Sequence, residues 1–344
     1  MKNIIRTLIM IALIVFFLWL FVKSLDIEKA KYYMFHTKLR FLFFIFVVYP
    51  FIYFFRSLRW KQIIGGKGES MKLIDVFSAN VLGFAINYTI PARVGELARA
   101  VILGKKTGVS SSFIFSTVII ERILDLGAMV FFAGFFYVFR GFAFKDLNPT
   151  KGSMEFLSKG SVIAFVSFIG LMLLIFLIYL FKKRVFVFWE NMCNKLLPSK
   201  FRGGAIHAGE RFIEGLISLF ENKRKILIII NSLVIWFLIS TGYWIALIDF
   251  GLKVNFIAII PYIVALLIGA SIPTPGMVGG FEALSQMALT GFYLMDKNIA
   301  AAATILMHFS LIVVTLFLAL PFLIREGAWV LNIKGYKKYE EKVK

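Results

Sequence analysis

Apolar residues in this chain fall in long blocks separated by short charged stretches, and each block marks a candidate helix. Lys2 and Arg6 precede a first apolar run. No small-x-small cleavage site follows it and Lys23–Lys31 is charged, so it reads as a retained helix over Thr7–Val22, not a cleaved signal. A second helix is predicted over Phe41–Phe55, stopped by Arg56, Arg59 and Lys61. Phe113–Phe139 is long enough to span a bilayer with tilt, yet carries Glu121, Arg122 and Asp125. Ser161–Phe181, Ile226–Ile248 and Ile299–Ile324 are further spans, the last closed by Arg325.

Two other apolar segments are interrupted. Leu73–Leu103 is broken by Asn80, Asn87, Pro91, Arg93, Glu96 and Arg99. Phe256–Ser271 runs into Pro273, Pro275 and a glycine-rich turn before Met277–Met295. Basic residues cluster in the N-terminus, Arg56–Lys72, Lys105–Lys106, Lys182–Lys225 and the tail, which the positive-inside bias assigns to the cytoplasm. Each broken segment then enters and leaves on one side, giving two re-entrant hairpins from opposite faces. The fold expected is an all-α polytopic membrane protein with six full spans and two re-entrant helical hairpins; treating both hairpins as crossings gives eight spans. Residues 1–325 form one integral membrane domain and 326–344 a basic cytoplasmic tail. Ile90-Pro91…Gly95-Glu96 and Ile272-Pro273…Gly280-Phe281-Glu282 echo each other, which suggests an inverted repeat.

Composition narrows the class. Of 344 residues 60% are hydrophobic and only 17% charged, which excludes a soluble globular enzyme and a disordered chain. Continuous apolar runs also exclude an outer-membrane barrel, whose strands alternate. The net charge of +20 is read as positive-inside bias and attraction to anionic lipid, with no nucleic acid partner. Lys182–Lys225 holds ten Lys/Arg against four Glu. Within it Ile206, Phe212, Ile213, Leu216, Ile217 and Phe220 follow helical spacing, predicting an amphipathic helix on the membrane surface. Cys193 is the only cysteine and His36, His207 and His308 are far apart, so no metal or cofactor is expected.

Candidate chemistry lies in the charges within apolar segments, since an ionisable group at the bilayer centre costs at least ~2.5–3.5 kcal/mol and persists if paired, wetted or used. There are seven: Arg93, Glu96, Arg99, Glu121, Arg122, Asp125 and Glu282. A helix restarting at Pro91 would put Arg93 in its first turn, with Arg93, Glu96 and Arg99 on one face. Arginine suits a phosphodiester because its planar fork meets two oxygens. A structural ion-pair ladder is the competing reading. Glu121 and Asp125 share a helix face and could neutralise Arg93 or Arg99, or meet a cationic headgroup. Gly276, Gly279 and Gly280 permit sharp turns before Glu282 at the start of the next helix.

Three blocks carry a family resemblance. Pro91-Ala92-Arg93-Val94-Gly95-Glu96-Leu97-Ala98-Arg99, Thr117–Asp125 and Pro273–Glu282 resemble the hallmark blocks of the flippase-like membrane domain of lysylphosphatidylglycerol synthases, over about residues 5 to 325. The resemblance implies a lipid-handling membrane protein. In the two-part synthases a soluble domain transfers lysine from lysyl-tRNA to phosphatidylglycerol and the membrane domain translocates the product. Only 19 residues follow Arg325 here, too few for a tRNA-dependent transferase. The expectation is therefore translocation of a phosphate-bearing lipid, such as phosphatidylglycerol or its lysyl form, in the cell membrane. Its site would be Arg93, Glu96, Arg99, Glu121, Arg122, Asp125, Gly276, Gly279, Gly280 and Glu282. The alternatives are a phosphatidylglycerol lysyltransferase, or an accessory subunit of a separate synthase or of a glycosyltransferase acting on polyprenyl-phosphate lipids.

Overall fold

A computed structural model describes residues 26–36, 40–90, 93–145, 149–271, 274 and 277–330. The predicted helix Thr7–Val22, together with Pro91, Pro273, Pro275, Gly276 and most of the tail, lies outside them. The described residues form thirteen α-helices and one 3-10 helix. They are α1 (Ile27–His36), α2 (Arg40–Ile64), α3 (Gly66–Glu69), α4 (Leu73–Thr89), α5 (Val94–Thr107), α6 (Ser111–Ala143) and α7 (Lys151–Leu180), then α8 (Lys182–Leu196), α9 (Ser199–Glu221), α10 (Lys225–Asp249), α11 (Ile260–Ser271), α12 (Gly280–Tyr293) and α13 (Lys297–Val330). The 3-10 turn Phe256–Ile259 leads into α11.

Four of these helices are long and apolar enough to cross a bilayer: α2, α7, α10 and α13 as far as Arg325. Helix α7 shows why a bilayer is required. It buries only Leu157 and Ile175, while Val162, Ile163, Phe165, Val166 and Leu173 stand exposed. A continuous apolar face of that kind is stable against lipid and not against water. The chain is thus an all-α polytopic membrane protein.

Both interrupted segments fold as antiparallel helical pairs. In the first, α4 and α5 pack so closely that a Cβ on Gly95 would stand 1.9 Å from the Gly83 carbonyl oxygen. Asn87 Oδ1 accepts the Gly95 amide at 2.8 Å, using a backbone donor that the start of α5 leaves free. In the second, Gly269 on α11 faces Gly280 on α12, and Tyr293 donates its hydroxyl to the Ala258 carbonyl at 2.6 Å.

The two hairpins enter from opposite ends of the bundle. The open end of α4/α5 lies beside the basic segments: Lys67 pairs with Glu214 at 3.1 Å and Arg224 with Glu69 at 3.0 Å. The open end of α11/α12 lies at the far end, where Asn255 donates to the Phe142 carbonyl and Arg40 pairs with Asp249 at 3.0 Å. The tips meet between the ends, where the Arg93 guanidinium donates to the Ala270 carbonyl.

Several helix boundaries differ from the sequence reading; α7, for one, starts at Lys151 and not at Ser161. Helix α2 does not stop at Arg56 but continues through Arg56, Arg59 and Lys61 to Ile64. Arg59 is fully buried and internally paired, so its charge is no obstacle to the helix. Helix α5 starts at Val94, leaving Arg93 as its N-cap in the left-handed region (φ 51°) and not in the first turn. Helix α13 continues past Arg325 to Val330. The amphipathic α9 also finds a different partner: Gly215, Leu216 and Ile217 are buried, with Gly215 against Phe113 and Ser116 of α6 and Phe220 against Phe176 and Tyr179 of α7. Protein, not the membrane surface, covers that part of its apolar face.

Candidate functional site

Two layers of charge lie where α2, the α4/α5 hairpin, α6 and α10 converge. The inner layer is closed. Arg59 of α2 donates to Asp125 Oδ1 at 2.8 Å and to Ser232 Oγ of α10 at 3.0 Å, and reaches Glu121 at 3.4 Å. Arg99 of α5 pairs with Glu121 Oε2 at 2.6 Å and donates to Asn80 Oδ1 at 2.9 Å. Asn80 in turn donates to Ser57 Oγ, and the Arg99 guanidinium stacks over Trp60 at 4.7 Å. Both arginines and Glu121 are essentially inaccessible. Spacings of three and four residues put Glu121 and Asp125 on the same side of α6, which lets one helix serve two arginines from two others.

The outer layer faces a cavity of about 480 Å³. Its polar end is formed by Arg56, Asn87, Arg93, Glu96, Arg122 and Asp125. Its remaining wall is mainly aliphatic and aromatic, including Phe84, Leu126, Met129, Val130, Trp236, Ile263 and Phe281. Asp125 joins the layers: one oxygen meets Arg59, and the other lies 3.2 Å from Arg122. Trp236 donates its indole N–H to the same carboxylate at 3.2 Å. Arg122 also lies 3.8 Å from Glu96. Such a chamber, charged at one end and apolar along its length, matches an amphiphile.

The seven intramembrane charges of the sequence therefore separate into three places. Arg93, Glu96, Arg122 and Asp125 line the cavity, and Arg99 and Glu121 lie beneath it. Glu282 is elsewhere: it accepts the Gly279 amide at 2.6 Å and meets His308 Nδ1 of α13 at 2.5 Å. Gly279, with φ 89°, makes the turn that allows this cap. From the α11–α12 connection the lining takes Thr274 and Met277, with Phe281 from α12; Gly279, Gly280 and Glu282 are not part of it among the described residues.

Sequence reasoning missed Arg56 and Arg59. The linear pattern reads both as the end of a helix. The signal lies just beyond them, where Trp60, Ile63 and Ile64 resume an apolar pattern that a true stop would not need. It also missed His308 as the partner of Glu282, because 26 residues separate them.

The family model described as the lysylphosphatidylglycerol synthase TM region matches residues 7–319. The chain is 25% identical over 259 residues to the UPF0104 membrane protein MJ1595 of Methanocaldococcus jannaschii, covering 73% of this chain and 74% of that protein. It is 24% identical over 319 residues to the UPF0104 membrane protein PH1989 of Pyrococcus horikoshii, covering 89% and 92%. No solved structure matches it.

Proposed function

Because the chain belongs to the lysylphosphatidylglycerol synthase transmembrane-region family, we propose that it binds a phosphate-bearing lipid headgroup in this cavity and carries it across the membrane. The observation that carries the reading is the charge balance. Among the described residues of the cavity wall and the layer beneath it, five arginines (Arg56, Arg59, Arg93, Arg99 and Arg122) meet three carboxylates (Glu96, Glu121 and Asp125). An excess of buried positive charge favours an anion.

In this reading Arg93 and Arg122 hold phosphate oxygens. Glu96 and Asp125 orient Arg122, while Glu121 locks Arg59 and Arg99 into a floor that does not move. The aliphatic wall accommodates the upper acyl chains. Gly279, Gly280 and Glu282 shape the opposite hairpin, and parting of the two tips at Arg93 and Ala270 would open the cavity. Phosphatidylglycerol and its lysyl form are the first candidates, in the cell membrane with the basic end in the cytoplasm. That end is also the surface on which a separate synthase or glycosyltransferase would dock.

Proteoliposomes containing headgroup-labelled phosphatidylglycerol or lysyl-phosphatidylglycerol test this. Folded protein is expected to speed inward or outward movement of one of the two at least about tenfold over protein-free vesicles, the effect of about 1.4 kcal/mol on the barrier. Movement at the protein-free rate for both lipids would count against translocation of either. Lysine transfer from lysyl-tRNA by the purified chain would favour the enzymatic alternative.

A further inference from the structure

We infer that the preferred ligand of this cavity is a lipid ending in a phosphomonoester, with Arg56 as a direct contact to its phosphate. The inference rests on the lipid-binding reading above and narrows its substrate class. Three observations carry it.

The first is the size of the charge excess. The inner layer is balanced, Arg59 and Arg99 against Glu121 and Asp125. The outer layer then sets Arg56, Arg93 and Arg122 against Glu96 alone. Two positive charges are left over. A phosphomonoester carries about −1.5 to −2 at pH 7, which matches them. A phosphodiester supplies a single negative charge. Lysyl-phosphatidylglycerol adds two amines to its diester and is net cationic, which would increase the excess.

The second is Arg56 itself. Its Nη1 is buried and has no hydrogen-bond partner among the described residues, although its guanidinium stacks 5.2 Å from the Phe84 ring centre. A buried donor left without a partner is costly, more so when charged, and a ligand acceptor there recovers that cost. Three more lining residues share the condition: Arg122 at Nε, Ser161 at Oγ on α7, and Thr274 at Oγ1 at the tip of the second hairpin.

The third is geometry. Arg56, Arg93 and Arg122 come from α2, the start of α5 and α6, three separate walls of one chamber. A terminal phosphate offers three non-bridging oxygens, one for each direction, whereas a diester offers two.

The test is competition native mass spectrometry of the purified full chain in detergent. Phosphatidic acid, phosphatidylglycerol and lysyl-phosphatidylglycerol of one acyl composition are offered together, and inorganic phosphate is offered separately. The wild-type chain is expected to retain phosphatidic acid at least about tenfold over the lysyl lipid. Arg56→Gln should lower phosphatidic acid retention by about tenfold, lower phosphatidylglycerol retention by a smaller factor, and keep the melting temperature near wild type. Arg56→Lys should restore part of the difference, because a single ammonium replaces the fork. Lysyl lipid held as tightly as phosphatidic acid would overturn the inference and leave lipid binding intact. Unchanged retention by folded Arg56→Gln would remove Arg56 from the site. Inorganic phosphate bound as well as phosphatidic acid would assign the site to the free anion. A folded protein that retains no lipid would overturn both readings.

Discussion

Arg59→Ala is expected to cost the folded protein about 3–5 kcal/mol, because it removes the buried cation that two buried carboxylates share. Arg59 meets Asp125 at 2.8 Å and Glu121 at 3.4 Å with no access to solvent. Arg99 still faces Glu121 in the variant, and Arg122 still faces Asp125, but Ser232 and the central donor are lost. The variant should show a far lower melting temperature in detergent than Arg56→Gln, whose side chain borders the cavity. Adding Asp125→Asn to Arg59→Ala should recover part of the loss by removing a buried charge that has lost one of its two arginines, a coupling that a double-mutant cycle measures. Arg59→Ala melting like wild type would show that the inner layer does not hold these helices together.

Arg93→Ala carries the largest expected effect on lipid movement. The residue sits in the left-handed region at the tip of the first hairpin, lines the cavity, and is the donor that reaches the second hairpin at Ala270. Charge-assisted hydrogen bonds contribute about 1.5–3 kcal/mol each, so loss of the guanidinium should slow translocation by roughly ten- to a hundredfold. Stability should change little, since Arg93 belongs to none of the inner-layer pairs. Arg93→Lys should retain part of the rate, because the ammonium keeps the charge and loses the planar fork. An Arg93→Ala protein that is folded, present at normal level and moves lipid at the wild-type rate would exclude Arg93 from the path.

Much of this arrangement was legible in the sequence, for identifiable reasons. Blocks such as Ser161–Phe181 and Ile226–Ile248 announce spans because nothing charged interrupts them. The breaks at Pro91 and Pro273 announce hairpins because proline withholds a backbone donor. Glu121, Asp125 and Arg99 stand out because charge in an apolar run demands a partner, and the structure supplies one to each.

The rest was hidden for equally physical reasons. Arg56 and Arg59 follow an apolar run, where a linear pattern cannot distinguish a helix end from an interior arginine; only the fold brings α6 alongside. The left-handed conformation of Arg93 depends on the turn between α4 and α5, not on its own identity. Glu282 looked like a member of the charge cluster, yet cap geometry and His308 hold it elsewhere. The apolar stripe of α9 gave the right helix without saying that α6 and α7 cover part of it.

The proposed transport requires a lipid phosphate to enter the chamber beside the hairpin tips. Photo-crosslinking tests it most directly, using a phospholipid with a diazirine beside its phosphate, the full chain in lipid nanodiscs and peptide mapping by mass spectrometry. Adducts are expected on cavity-wall residues such as Tyr88, Met129 and Trp236, competed by unlabelled phospholipid. Adducts confined to the outward face of α7, at Phe165 and Val166, with none in the chamber, would contradict it.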